Sequence, residues 1–168
     1  MRRSLAFFVA ISFLAGCASI GPQAEKLSLA ETSNFYKEPS QGRAALYFRC
    51  GSWKTESWLA KSENTLPFCA LQVNGNSLKR VVKDSVGRVE VAVGVLTLQP
   101  VPEESLATYV PLQLEVREGD VVLVTQNLVH KMGPLGGAMS GGFTYSLEWT
   151  KDEVMTRVRK SQPVRMSD

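Results

Sequence analysis

The residues most able to carry chemistry in this sequence are three cysteines, Cys17, Cys50 and Cys69, and a single histidine, His130. A histidine acts as a general base when a carboxylate orients it and a nucleophile lies beside it. The segment around His130 supplies neither, and no nucleophile-elbow pattern occurs, so we expect a rim histidine and no catalytic residue. Zinc usually takes three or four cysteine, histidine or carboxylate ligands, and the sequence has no such cluster, so we expect no metal and no cofactor.

The N-terminal segment has the pattern of an export signal. A short basic start is followed by an apolar run over Leu5–Gly16, which falls short of the roughly 20 residues that span a bilayer. The run ends in Leu14-Ala15-Gly16-Cys17, which resembles the lipobox of bacterial lipoproteins. The resemblance implies that residues 1–16 are a signal peptide and that Cys17 is lipidated with three acyl chains, palmitate among them, which together anchor firmly. The alternative is an ordinary secretory signal, with Cys17 left as a free thiol.

The residue after the predicted lipidation site bears on localisation. Ala18, rather than Asp, follows Cys17. By resemblance to sorting in Gram-negative bacteria, this implies the inner leaflet of the outer membrane, facing the periplasm. Residues 17–42 are then a lipidated N-terminus and a solvated tether, because they are polar, contain two prolines and show no sustained period. Scattered apolar residues could still dock part of this tether: Leu27, Leu29, Phe35 and Tyr36.

The other two cysteines are placed to form a disulfide. Residues 43–50 alternate, with Ala44, Leu46, Phe48 and Cys50 on an apolar face and a polar or amphipathic face opposite, as in a half-buried strand. Cys50 ends this strand and Cys69 begins the next, so an antiparallel hairpin would place them opposite each other, at a Cα separation that suits a disulfide. Export supplies an oxidising compartment, and we therefore predict a Cys50–Cys69 bridge. Two buried free thiols are the alternative.

Two loops hold candidate partner-binding residues. Trp53 and Trp58 lie in the loop that the predicted disulfide would close, and an exposed indole can stack on a sugar ring or grip a protein. Leu135 and Met139 lie in the glycine-rich segment 133–142, which lacks the Lys-Ser/Thr pair of a phosphate loop. The alternatives are that the indoles fold back onto the core and that the glycine-rich segment is a plain connection.

The remaining pattern predicts a mainly β domain over residues 43–162, followed by a tail over 163–168. Strands are expected where apolar residues alternate or run together, and turns where glycine or asparagine interrupts them. Thr150 and Glu153 match a capping box and predict a helix of about ten residues that stops before Pro163. We expect an antiparallel β-sandwich of about seven to eight strands with a short C-terminal α-helix. The expected strands are 43–50, 69–74, 78–83, 86–93, 95–99, 112–117, the central 121–125 and the last, 143–149, with turns at 74–76, Gly94 and a 118–120 hairpin.

The order of these pieces resembles a family of small bacterial lipoproteins that is known only as a domain of unknown function and has a transthyretin-like β-sandwich. The resemblance covers about residues 42–160 and brings no catalytic residues. The motifs that carry it are Tyr47-Phe48-Arg49, Val73-Asn74-Gly75, Val93-Gly94-Val95, Glu118-Gly119-Asp120 and Thr150-Lys151-Asp152-Glu153.

Composition restricts the possible functions. The 168 residues are 44% hydrophobic and carry a net charge of +3, which becomes +1 if Arg2 and Arg3 leave with the leader. So small a charge does not predict a nucleic-acid partner. We expect a lipid-anchored periplasmic accessory lipoprotein that binds an envelope protein or a cell-wall component without catalysis. The alternatives are a weak envelope-acting hydrolase that uses His130, or a structural or stress lipoprotein without a ligand.

Overall fold

The computed structural model describes residues 23–56, 61–101, 107–132 and 140–166. Cys17, Trp58, Leu135 and Met139 lie outside these ranges. The described residues are mainly β, with helices α1 (Leu29–Phe35) and α2 (Lys151–Val158). The strands are β1 (Glu25–Lys26), β2 (Arg43–Glu56), β3 (Lys61–Thr65), β4 (Phe68–Cys69), β5 (Leu71–Val73), β6 (Asn76–Ser77), β7 (Val81–Val82), β8 (Ser85–Ala92), β9 (Gly94–Pro100), β10 (Ala107–Thr108), β11 (Leu112–Val116), β12 (Val121–Lys131), β13 (Ser140–Glu148) and β14 (Gln162–Arg165).

The main sheet has the order β1-β14-β8-β2-β12-β13-β10, with β3 paired to the outer part of β2. The first four residues of β12, Val121–Val124, are all buried, as expected of a central strand covered on both faces. The predicted central strand is therefore confirmed. Most pairs of described strands are antiparallel, as predicted, but β2 runs parallel to β12, and β14–β8 and β10–β13 are also parallel pairs.

A second sheet, β11-β9-β5-β6, packs against one face of the main sheet and completes the predicted sandwich. The chain crosses between the sheets at Gly94 and Gly119, both at positive φ. The turn at residues 118–120 consequently joins two sheets and is not the predicted hairpin. The core between the sheets contains the even-numbered residues of β2 and β12 and the inner residues of the second sheet: Ala44, Leu46, Phe48, Val122, Val124, Leu71, Leu96, Leu98, Leu114 and Val116.

The opposite face of the main sheet is covered by the two helices. Ala45, Tyr47 and Leu123 are buried there against Phe35 of α1 and Val154 of α2. The half-buried strand predicted for residues 43–50 was therefore wrong for its odd-numbered face, because a third layer removes Ala45 and Tyr47 from water. The domain has a helix, sheet and sheet arrangement.

Part of the range predicted as a tether lies in this fold. Helix α1 begins with a capping box in which Glu31 N donates to Ser28 Oγ at 3.4 Å and Ser28 N donates to Glu31 Oε2 at 3.0 Å. Tyr47 Oη donates to the Phe35 carbonyl oxygen at 2.6 Å, in the interior. Arg165 of β14 also pairs with Glu31. Backbone hydrogen bonding and buried aromatic contact thus fasten residues 25–36 to the main sheet.

The C-terminal region differs from the prediction in two details. Thr150 is the N-cap of α2, but its side chain makes no capping hydrogen bond, so the predicted Thr150–Glu153 capping box is not formed. After α2, β14 returns along the main sheet beside β8, and the side chains of Val164 and Met166 are buried. The strand predicted over residues 143–149 is therefore not the last strand.

The predicted disulfide is present, although its setting differs. Cys50 and Cys69 are joined, with Cα atoms 5.5 Å apart. β2 does not end at Cys50 but continues to Glu56 and forms its hairpin with β3. Cys69 lies in β4, which pairs with β7. The disulfide thus links the middle of β2 to a separate two-stranded sheet.

Candidate functional site

The outer halves of β2, β12 and β13, together with β3, carry two different surfaces. β12 and β13 remain paired throughout this region, from Thr125 opposite Ser146 to Lys131 opposite Ser140. A β-bulge interrupts the pairing of β2 with β12, because Cys50 lies opposite Gln126 but Trp53 lies opposite Leu128. One surface adjoins α2 and is polar, and the other is aromatic.

The polar cleft lies beside α2 on the helix-covered face of the main sheet, where that helix stops covering the strands. Its volume is about 720 Å³. A depression of about 860 Å³ continues along α2 and shares Arg49, Glu148 and Arg157 with the cleft. We define the polar cleft by six of its lining residues: Arg49, Ser52, Thr125, Asn127, Glu148 and Arg157.

Asn127 organises the floor of the polar cleft. Its Oδ1 accepts a hydrogen bond from Ser52 N at 3.0 Å, and its Nδ2 donates to Ser146 Oγ at 3.1 Å. A Cβ atom at Gly51 would overlap Asn127 Oδ1 and would lie 2.6 Å from Thr125 Cγ2. Glycine at position 51 is therefore required for the side chain of Asn127 to bridge the bulged strand and β13.

The charged groups of the polar cleft are two guanidinium groups and one carboxylate. Arg49 is half-buried, and its Nε donates to Thr125 Oγ1 at 3.1 Å. Arg157 Nε lies 2.8 Å from Glu148 Oε2, but this contact is an ion pair without hydrogen-bond alignment, because Oε2 has no donor among the described residues. Burial lowers the pKa of the Arg49 guanidinium, the positive charge of Arg157 lowers it further, and Glu148 opposes both. At the Arg49 guanidinium, the influence of Arg157 is therefore larger than that of Glu148.

The aromatic face lies on the other side of the same strands and consists of Trp53, Leu128, His130 and Phe143. The rings of Trp53 and His130 meet edge to face with centroids 5.6 Å apart. A Cβ atom at Gly141 would lie 2.6 Å from His130 Cδ2, so the glycine gives the imidazole room to lie against β13. Trp53 keeps 38% of its surface exposed. The structure thus presents an indole that is oriented by its neighbour and open to solvent.

These observations bear differently on each of the residues that were predicted from the sequence. Trp53 keeps part of its surface exposed, and its role as a partner contact stays a prediction. His130 lies against Trp53, and no carboxylate or hydroxyl of the described residues is hydrogen-bonded to it. Arg49 and Asn127 were not predicted as site residues, although the sequence contains a signal for each. Arg49 is a charged residue in alternation with Ala45 and Tyr47, which are buried. Thr125 and Asn127 are polar residues that follow the apolar first part of β12.

Comparison with known proteins gives no family or relative: no family model, no curated protein and no solved structure matches this chain. Neither of the two described helices has the length and apolar character needed to cross a bilayer. Across residues 23–56, 61–101, 107–132 and 140–166, no group of three or more His, Cys, Asp or Glu side chains is placed to hold a metal ion.

Proposed function

We propose that this protein is a lipid-anchored accessory lipoprotein of the bacterial envelope that acts by binding, and that the aromatic face contacts an envelope protein or a cell-wall component. The observation that carries this proposal is the exposed indole of Trp53, held against His130 at the end of the sheet. Tryptophan is enriched among the residues that dominate binding energy at protein interfaces, and its face also stacks on sugar rings. The Cys50–Cys69 disulfide supports export to an oxidising compartment.

The topology supports a binding surface that points away from the anchor. In register, Glu25 lies level with Arg165, Arg88 and Tyr47, and Lys26 lies level with Phe48, so β1 runs in the same direction as β2. The chain therefore enters the sheet from the side of Arg43, and Trp53 lies at the other end. The six steps from Cys17 to the first described residue reach at most about 20 Å, which would hold the entry side near the membrane.

The two alternatives make different demands on the structure. A ligand-free structural lipoprotein predicts no well-formed concavity, whereas the polar cleft is a concavity of about 720 Å³. A hydrolase that uses His130 requires a carboxylate and a nucleophile beside the imidazole. Among the described residues, the His130 ring lies against the Trp53 indole, and its partners on the neighbouring strands are Thr55 and Gly141; none of these is a carboxylate, which favours binding.

A cross-linking experiment in intact envelopes tests the proposal. A photoreactive amino acid is placed beside Trp53, at Thr55, and the cross-linked partners of wild-type and Trp53→Ala chains are compared. Val95→Ala is the matched control, because Val95 is an apolar side chain of the second sheet that is 63% exposed. We expect Trp53→Ala to reduce one saturable cross-link at least about tenfold while the urea unfolding midpoint stays unchanged.

Three outcomes of this experiment would contradict the proposal in different ways. Equal cross-linking by all three chains would show that the aromatic face is not the contact surface. A large fall in unfolding free energy for Trp53→Ala would mean that the indole belongs to the core. A Cys17→Ser chain that keeps the same cross-linked partners in soluble extract would show that the anchor is incidental to binding.

A further inference from the structure

One half-buried charged group of the polar cleft has no partner of opposite charge among the described residues. Arg157 and Glu148 form an ion pair, whereas Arg49 is hydrogen-bonded only to the neutral hydroxyl of Thr125 among the described residues. Burying a guanidinium group without a carboxylate partner is costly, because the protein replaces only part of its hydration. The cleft therefore contains one cationic group that an entering anion would compensate.

The other charged groups lie nearer to water and change this balance less. Glu63 at the rim is paired with Lys54, with Nζ and Oε1 3.5 Å apart and both side chains about half exposed. Lys83 and Asp84 are adjacent, exposed residues of opposite charge on another side of the rim. Exposed charges of opposite sign are screened by solvent and salt, so the charge inside is set mainly by Arg49 and by the Arg157–Glu148 pair.

We propose that the polar cleft binds a hydrophilic ligand through one oxyanion, a carboxylate or a phosphate, held between Arg49 and Arg157. A guanidinium group presents its donors in a planar fork that matches two oxygens of such a group. Nε of Arg49 is fixed by Thr125, which sets the plane of the fork and leaves its other edge for the ligand. The hydroxyls of Ser52 and Ser146 line the floor and suit a ligand body that carries hydroxyl or amide groups. A volume of about 720 Å³ is in the usual range for small-molecule sites.

This site is independent of the aromatic face, because it lies on the opposite side of the sheet. An oxyanion could come from a soluble or wall-derived acid or from a phospholipid headgroup. The position of Arg49 favours the first source. Arg49 lies toward the Trp53 end of β2, whereas the chain enters the main sheet from the Arg43 end.

The test uses the full chain, purified from membranes in a non-ionic detergent and labelled for NMR of arginine side chains. Inorganic phosphate and glucuronate are the probes, and sodium chloride at matched ionic strength is the reference. We expect a saturable shift of the Arg49 Nε resonance with at least one probe. Arg49→Gln should raise the apparent dissociation constant about tenfold or more. Arg43→Gln, an equal change of charge on the same strand but outside the cleft, should leave the constant unchanged.

Two further variants keep the inference testable if Arg49→Gln unfolds. Arg49→Lys retains the positive charge but not the fork, and should bind more weakly than wild type. Arg157→Gln changes a side chain that is about half exposed on α2 and should also weaken binding. Shifts that sodium chloride reproduces, or equal weakening by Arg43→Gln, would overturn the site.

A lipid measurement distinguishes the two sources. Nanodiscs that contain phosphatidylglycerol are compared with nanodiscs of phosphatidylcholine alone. An Arg49 shift that needs phosphatidylglycerol would assign the site to headgroup phosphate and overturn the soluble source. Trp53→Ala should leave the response to phosphate and glucuronate intact, so failure of the aromatic-face proposal and failure of this site remain distinguishable.

Discussion

Removal of the Tyr47 hydroxyl tests whether α1 is part of the folded domain. Tyr47 is 1% exposed, and its hydroxyl donates to the Phe35 carbonyl at 2.6 Å. The rings of these two residues also meet edge to face, with centroids 5.4 Å apart. Burial raises the pKa of the Tyr47 phenol, so it stays protonated and remains a donor at neutral pH. This one hydrogen bond links a segment that follows the predicted lipid anchor to the centre of the main sheet.

Tyr47→Phe keeps the ring and its packing and leaves the buried carbonyl of Phe35 without its donor. Leaving a buried acceptor unsatisfied costs about 1–3 kcal/mol, and we expect the free energy of unfolding to fall by that amount. Urea denaturation of the oxidised full chain measures the change, with an unaltered denaturant slope. The amide of Thr32, which donates to the Ser28 carbonyl within α1, should exchange faster relative to the amides of β12.

Tyr36→Phe is the matched control, because Tyr36 is a neighbouring half-buried phenol for which the structure shows no hydrogen bond from its hydroxyl to a described residue. It should change the unfolding free energy by less than about 0.5 kcal/mol. If Tyr47→Phe costs no more than Tyr36→Phe, α1 does not draw its stability from this bond. If exchange at Thr32 is already fast in the wild type, residues 25–36 behave as a tether in solution.

Two other perturbations test the disulfide and the cap of α1. Cys50→Ala combined with Cys69→Ala should lower the unfolding free energy by about 3 kcal/mol, since the sequence separation is 19 residues, and an unchanged urea midpoint would contradict this. For Glu31, the hydrogen bond from the Ser28 backbone, aided by the Ser28 side chain and by Arg165, lowers the pKa from 4.5 to about 2. Because the folded pKa is lowered, the stability that Glu31 contributes is present above pH 4.5 and is lost as the pH falls toward 2. NMR titration of Glu31 should show this midpoint, which Arg165→Gln should move upward; a midpoint near 4.5 in the wild type would refute the capping geometry.

The sequence was sufficient to predict the sandwich, because alternation is a local signal. Ala44, Leu46 and Phe48 face the second sheet as their spacing indicates. The helical layer over Ala45 and Tyr47 was not predicted, because small and amphipathic residues occur both on solvent-exposed and on buried faces of strands. The capping box Ser28–Glu31 was a local signal for α1, but it lay in a polar segment interpreted as a tether.

Strand partners were harder to predict because pairing depends on distant parts of the chain. The turn over Glu118–Asp120 is typical of a hairpin, yet β12 inserts beside β2, more than seventy residues earlier in sequence. The disulfide was predicted correctly, but the strands that carry it were not. Alternation and export identify the two cysteines as a pair without specifying the strands in which they lie. Arg49 and Asn127 acquire their setting only when β2, β12 and α2 come together.

The bulge after Cys50 explains how one strand serves two surfaces. Strict alternation would place Arg49 and Trp53 on the same face, because they are four positions apart. In the structure, Arg49 lies opposite Thr125 and Trp53 lies opposite Leu128. Strand β2 therefore advances by four residues while β12 advances by three. The extra residue transfers the indole to the face opposite the polar cleft. The side chain of Asn127 stabilises this change of register by accepting the backbone N–H of Ser52. The bulge therefore places the aromatic face and the polar cleft on opposite faces of the sheet, although neighbouring residues of a single strand contribute to both.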